Sequence, residues 1–247
     1  MLNRFSRTEL LLGEENMSKL AQSKIAIFGI GGVGSYVAEG LARCGIGEFI
    51  LIDSDDISLT NLNRKIHALE TTIGQKKTLM MKERILAINP QAKVTTIEKL
   101  YTPESNFFNW DDNYTYIVDA VDDVKAKINL IVNANKHNLP IMSSMGTANK
   151  LDPQKFVITD IYKTHTCPLA RIMRKTLKQQ GIKKLKVLYS TEEPFTNYTV
   201  NFKENTSKDN SPASTRKQPL GSISFVPPIA GLMIAGEIVK DICQINR

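Results

Sequence analysis

Cysteine is scarce in this chain of 247 residues: Cys44, Cys167 and Cys243 are the only three, and no CxxC pair occurs. Three scattered thiols make neither a disulfide framework nor a four-cysteine zinc site. Cys44, on an expected helix, reads as a small core residue. Histidine is equally sparse, and His67, His137 and His165 share no metal-ligand spacing. No GxxxxGK[ST] stretch is present, which excludes a P-loop. The most apolar run, ISFVPPIAGLMIA over 223–235, carries Pro227 and Pro228 and falls short of the ~20 residues that cross a bilayer. It reads as a loop leading into a buried C-terminal helix, so no stable membrane insertion is expected. No N-terminal signal peptide is apparent, and together with the few cysteines this points to a reducing, cytoplasmic setting. The single tryptophan, Trp110, with Phe107, Phe108, Tyr114 and Tyr116, reads as packing rather than as a base-stacking platform.

What is present is alternation. Strand-like runs at 25–29, 48–52, 93–98, 115–119 and 139–142 are separated by helix-compatible stretches at about 33–44, 75–88 and 124–137, after an N-terminal helix over 8–20. Such alternation predicts an α/β fold, a doubly wound, mostly parallel Rossmann-like sheet with right-handed crossovers. With 42% hydrophobic residues the chain can bury a substantial core. It is expected to form one domain over 1–247, with a nucleotide-binding core at 1–150. A smaller C-terminal α/β portion, 151–247, would serve substrate and dimerisation. There VITDIY and KVLYS look like strands. The polar stretch near 201–222 reads as a mobile loop.

The densest signal lies at residues 25–53. The run IAIFG ends in Gly29-x-Gly31-x-x-Gly34, SYVAEGLARC follows with helical character, and a second apolar run, EFILI, ends at Asp53. This is the nucleotide-binding βαβ pattern with its acidic ribose ligand at the usual distance. The glycines let the backbone approach a phosphate, and the helix N-terminus offers unpaired N–H groups.

Which nucleotide is bound follows from what lies beyond Asp53. DSDDISLTNLNRK supplies Asp55, Asn61, Arg64 and Lys65, and IGQKK adds Lys76 and Lys77. Asp119, Asp122 and Asp123 follow the run YIVDA. A dinucleotide needs an apolar slot and few cations, whereas a triphosphate needs cations and a magnesium carboxylate. Arg64 and Lys77 can neutralise phosphoryl charge, and Asp122 lies just past a strand end, where open parallel sheets bind ligands. Each of these charges alone reads as a solvated loop residue. As a set at strand ends they read as a site.

With these motifs in order, GIGGVGSYVAEGLARCGIGEFILIDSDDISLTNLNRK, IGQKK and IVDAVDDVKAK, the chain resembles the adenylating enzymes related to ubiquitin activation. The resemblance is dense over residues 1 to about 150. It implies a doubly wound sheet that binds ATP, and chemistry that adenylates a carboxylate and releases pyrophosphate. It further implies that Gly29, Gly31 and Gly34 form the phosphate-side turn and that Asp53 holds the ribose. Asn61, Arg64 and Lys77 would contact phosphates, Asp55 would belong to the same nucleotide site, and Asp122 would hold Mg2+. The opening RFSR resembles a family segment whose arginine reaches the partner subunit's ATP. Arg7 matches it, which implies a homodimer.

Within that superfamily, sulfur-carrier activators usually bear two CxxC pairs, and ubiquitin-type activators need a further cysteine domain for which 247 residues leave no space. The stretches RFSRTELLLGEENMSKL, LDPQKFVITDIYKTHTCPLARIMRKTLK and GSISFVPPIAGLMIAGEIVKDI are similar to the tRNA threonylcarbamoyladenosine dehydratases. Cys167 departs from that pattern, standing where an acid is expected. The resemblance implies ATP-dependent adenylation of the threonine carboxylate of threonylcarbamoyladenosine in tRNA, then ring closure with net loss of water. A sulfur-transfer partner protein is a further expectation. The alternatives are an activator of a ubiquitin-like sulfur carrier and a non-catalytic nucleotide-binding module.

The charge balance, 32 Lys plus Arg against 25 Asp plus Glu, suits a nucleic-acid partner without being specific for one. Placement says more: RIMRKTLKQQGIKKLK over 171–186 contains no acid. As a helix over 169–180 it puts Arg171, Arg174, Lys175 and Lys178 on one face and Leu169, Ile172, Met173 and Leu177 on the other. Such a stripe can clamp tRNA phosphates, or be a solvated face.

Overall fold

The structure is a computed structural model that describes residues 2–195 and 220–245. The expected mobile loop therefore lies, over 201–219, outside the described residues. In chain order the elements are α1 (Ser6–Leu12), α2 (Glu14–Gln22), β1 (Lys24–Phe28), α3 (Gly34–Arg43), β2 (Glu48–Ile52), α4 (Lys77–Ile88), β3 (Lys93–Ile97) and β4 (Tyr116–Asp119). They continue with α5 (Val124–Lys136), β5 (Ile141–Ser144), β6 (Phe156–Asp160), α6 (Pro168–Gln179), β7 (Lys186–Ser190) and α7 (Val226–Ile242).

The seven strands form one sheet in the order β3-β2-β1-β4-β5-β7-β6. Neighbouring strands run parallel except β6, which is antiparallel to β7. Strand order reverses between β1 and β4, and that reversal opens the crevice in which such sheets bind ligands.

Helices cover both faces, as the continuous apolar run of β1 requires. Ile25 and Ile27 join Val37 and Leu41 of α3 and Ile234 and Ile238 of α7. Ala26 and Phe28 face the other way, to Leu130 of α5 and the aromatic group Tyr101, Phe108 and Tyr114. Trp110 packs edge-on against Phe108, so these rings are core, as read from the sequence. A third cluster joins α5 and α6 through Ile131, Ala170, Met173, Leu177 and Val187. β6 and β7 extend the sheet, and α7 returns to lie along α3, so Phe156, Leu188 and the buried face of α7 share the core with β1 and α3.

Three boundaries differ from expectation. The N-terminal helix is two helices, because Gly13 adopts φ 81° and breaks it. β5 begins at Ile141, two residues late, because Leu139 N–H bonds the Ala134 carbonyl and Asn138 takes φ 56° to close the end of α5. In the 223–235 run the helix starts already at Val226, with the two prolines in its first turn, where no N–H is needed.

Candidate nucleotide site

A cavity of about 750 Å³ opens at the carboxyl ends of β1, β2, β4 and β5, within the size range of small-molecule sites. The β1–α3 turn forms its floor. Gly29 holds φ 88°, and a Cβ there would meet the Ala120 carbonyl oxygen at 2.6 Å. A Cβ on Gly34 would stand 1.8 Å from the Gly29 carbonyl oxygen, so the turn closes only without one. Gly31, by contrast, has open space above it on the cavity side. The three glycines thus divide their work between turning the chain, exposing backbone to a ligand and seating α3 against the sheet.

Asp53 caps β2. One carboxylate oxygen accepts from Ile30 N–H at 2.8 Å, the other from Asp55 N–H at 2.9 Å. Lys77, in the first turn of α4 and buried, reaches Asp53 at 3.2 Å and Asp55 at 2.5 Å. Burial opposes the charge on Lys77, but the two carboxylates outweigh it and hold its pKa above the ordinary lysine value. Burial likewise opposes the charge on Asp55, and the Lys77 ammonium wins, drawing its pKa down.

Arg64 lines the same wall, its Nη1 donating to the Thr60 carbonyl at 2.9 Å and to Asn63 Oδ1 at 2.8 Å. Beside it Lys65 donates to Asn61 Oδ1 at 2.7 Å. Burial, then the Lys77 and Arg64 charges, push the Lys65 pKa down to about 7. His67 lies behind, 4% exposed, and burial together with Lys65 and Lys77 holds it near 3, hence neutral.

The acids at the end of β4 and just beyond it differ in their surroundings. Asp119 is fully buried against Lys127 and the Ser143 hydroxyl. Asp123 caps α5 by accepting from Ala126 N–H. Asp122 is left exposed at the cavity lip. Magnesium is commonly held by one or two carboxylates plus phosphate oxygens, and Asp122 fits that role. Among the described residues no group of three or more His, Cys, Asp or Glu gathers as a metal site.

Of the residues singled out from the sequence, Gly29, Gly31, Asp53, Asp55, Arg64, Lys77 and Asp122 meet on this cavity. Gly34 and Asn61 do not line it; Asn61 is buried, its amide oxygen also accepting from Ser58 N–H. Arg7 is exposed on α1 and does not line its own chain's cavity.

The basic helix needs correction. Arg171, Lys175 and Lys178 are exposed, but Arg174 turns back and donates to the Thr164 carbonyl at 2.9 Å and to its hydroxyl. Ile172 is 51% exposed and does not belong to the inner face, which is Ala170, Met173 and Leu177. Cys167 is buried at the start of that helix.

Lys65 and Asp123, both in the charged set read from the sequence, line the cavity too, although the sequence assigned neither a separate role; sequence reasoning missed Lys99, Tyr101 and the loop 144–148. The loop had a usable signal, since SSMGTA follows a strand and contains a glycine. Phe28, Ile52, Leu100 and Tyr101 give one part of the cavity apolar walls suited to a purine, next to the charged part.

A family model described as the ThiF family matches residues 5–247. The chain is 42% identical over 245 residues to the tRNA threonylcarbamoyladenosine dehydratase of Bacillus subtilis (strain 168), covering 99% of this chain and 96% of that protein. It is 41% identical over 175 residues to the protein of that name from Escherichia coli (strain K12), covering 71% and 65%. The crystal structure of E. coli tRNA N6-threonylcarbamoyladenosine dehydratase in complex with ATP superposes with a TM-score of 0.83 at 32% identity, over 98% of this chain and 94% of that one.

Proposed function

Since this chain belongs to the ThiF family, we propose that it is an ATP-dependent tRNA threonylcarbamoyladenosine dehydratase. The likeness to the Bacillus protein over nearly the full length of both chains carries this reading. The cavity supplies the chemistry. Asp53 offers carboxylate oxygens to ribose hydroxyls, the apolar wall takes the adenine, and Arg64 and Lys77 meet the phosphates.

The free carboxylate of the threonine moiety is a poor electrophile. One of its oxygens attacks the α-phosphorus of ATP, the bond from that phosphorus to the bridging oxygen breaks, and pyrophosphate leaves. A nucleophile within the same modification then attacks the activated carbonyl, the ring closes and AMP departs. The net loss from the nucleoside is one water. Because the attack is intramolecular, the protein mainly has to hold two groups together. Magnesium, held by Asp122 and phosphate oxygens, would neutralise charge on the departing pyrophosphate.

The same reading places tRNA across the exposed cations Arg171, Lys175 and Lys178, whose helix begins beside the cavity-lining Leu169. It includes a homodimer in which Arg7 reaches the partner's nucleotide. Support comes from α1, where Arg7 is exposed beside Leu10 and Leu11, 89% and 81% exposed, an apolar surface that a second copy would cover. The reading includes a cytoplasmic setting, in which tRNA would be available as substrate. A sulfur-transfer partner protein belongs to the same reading; with Cys167 and Cys243 buried and burial pushing the Cys44 thiol up, it would act without a thiol of this chain.

The test is nucleoside mass spectrometry. Protein, ATP, Mg2+ and tRNA bearing threonylcarbamoyladenosine should yield, after digestion, a nucleoside lighter by one water only when ATP is present. An unchanged nucleoside from protein that binds ATP would favour activation of a sulfur-carrier protein instead.

A further inference from the structure

Three cations stand on the cavity wall near Asp53, and they are not equivalent. Lys77 is already neutralised by two carboxylates, Asp53 and Asp55. Arg64 is a permanent charge held by neutral oxygens. Lys65 donates to the neutral Asn61 amide oxygen and, among the described residues, forms no ion pair. Its charged neighbours are Arg64 on its own loop, Lys77 on α4, and the carboxylates Asp53 and Asp55 that Lys77 already occupies. Neutral His67 completes the surroundings. Asn61 is buried and fixed through Ser58, so it aims the Lys65 amine at the cavity instead of meeting a phosphate itself.

We propose that Lys65 is a phosphate-binding cation completed by its ligand: its amine takes up a proton from solvent as the polyphosphate enters and returns it as pyrophosphate leaves. Nucleotide binding and proton uptake are thereby one event. The inference rests on the reading that this cavity binds ATP. Burial, Lys77 and Arg64 disfavour a third positive charge in the empty cavity, which is why the free amine titrates at about 7. A triphosphate reverses the sign of the local potential and favours the charged amine. Lys77 cannot serve in this way, because its carboxylate partners keep it charged throughout. A purely structural Lys65, present only to hold Asn61, would take up no proton.

Isothermal titration calorimetry of the full-length protein with ATP and Mg2+, at about pH 8 in two buffers of different ionisation enthalpy, counts the protons. With the free amine at about 7, roughly nine-tenths of it is neutral there, so the wild type should take up close to one proton per ATP. Between about pH 8 and 9 affinity should fall roughly tenfold. Lys65→Gln should bind more weakly with no uptake beyond that of the nucleotide. Lys65→Arg should bind without uptake and with a flat pH dependence, and it serves if the glutamine variant binds too weakly to titrate. The same proton count in the wild type and either variant overturns the proposal. A well-folded wild type that binds no ATP overturns the ATP reading instead.

Discussion

Replacing Lys127 by methionine should cost this protein a large share of its stability, although Lys127 itself does not line the cavity. Lys127 and Asp119 are both 0% exposed, with Nζ 3.1 Å from the carboxylate. Asp119 also accepts from the Ser143 hydroxyl at 2.5 Å and from Val121 N–H at 3.3 Å. Methionine fills much the same volume but leaves a buried carboxylate with two neutral donors and no counter-charge. Breaking one side of a buried pair typically costs about 3–5 kcal/mol. In a chain of this size each kcal/mol moves Tm by about 2–4 °C, so a fall of roughly 6–20 °C is expected. The double variant Asp119→Asn with Lys127→Met removes both charges; the new amide oxygen can accept from Val121 N–H while its nitrogen donates to the Ser143 hydroxyl, so most of the stability should return. Activity should not return with it. Lys127 also donates to the Val121 carbonyl at 3.0 Å, one residue before Asp122, and that anchor is absent in both variants. Thermal and urea melts of the wild type and the two variants, beside ATP-dependent turnover at a temperature where all are folded, provide the readings. A single variant within about 1 kcal/mol of wild type, or a double variant no more stable than the single, refutes the reasoning.

Three shorter predictions concern the site itself. Arg64→Ala should abolish turnover while leaving the melt within about 1 kcal/mol of wild type, because its hydrogen bonds are local and partly exposed; full activity would remove Arg64 from the site. Gly34→Ala should destabilise the chain by more than the ordinary ~1 kcal/mol of a point substitution and weaken ATP binding, since the new methyl meets a backbone carbonyl at 1.8 Å; an ATP affinity equal to wild type would show that the turn yields. Charge reversal at Arg171, Lys175 and Lys178 together should raise KM for tRNA at least tenfold and flatten its salt dependence. ATP affinity should be unchanged, and an unaltered KM would make α6 an ordinary solvated face.

Much of this site could be read from the chain because its parts lie at strand ends, and strand ends are marked by the switch from apolar runs to glycine and charge. Gly29, Gly31, Asp53 and Asp122 each follow such a run, so their meeting place was implied by the parallel topology alone. Roles within the site were less legible. Asp119, Asp122 and Asp123 look alike in sequence, yet one is buried on Lys127, one caps a helix and one stands exposed at the cavity lip with no side-chain partner among the described residues. That division depends on which way each residue of a short loop points, and a local pattern does not carry it.

Arg174 and Lys65 show the limit in its sharpest form. Helical periodicity placed Arg174 correctly in angle beside Arg171 and Lys178, but a long side chain also samples what lies beyond its own helix. The Thr164 carbonyl and hydroxyl, ten residues earlier, are partners that solvent does not match. Lys65 was visible as a charge next to Arg64, whereas its half-burial arises from the packing of a loop in which Asn61 and His67 carry no charge at neutral pH. A sequence displays which residues are ionisable. How strongly an amine resists ionisation depends on its burial and on the distance to Lys77, and these exist only once α4 has been brought against the 59–68 loop. The cations on which the two proposals depend, those that meet tRNA and the one that takes up a proton, are therefore identified by tertiary structure, within a cavity that the strand-end motifs already located.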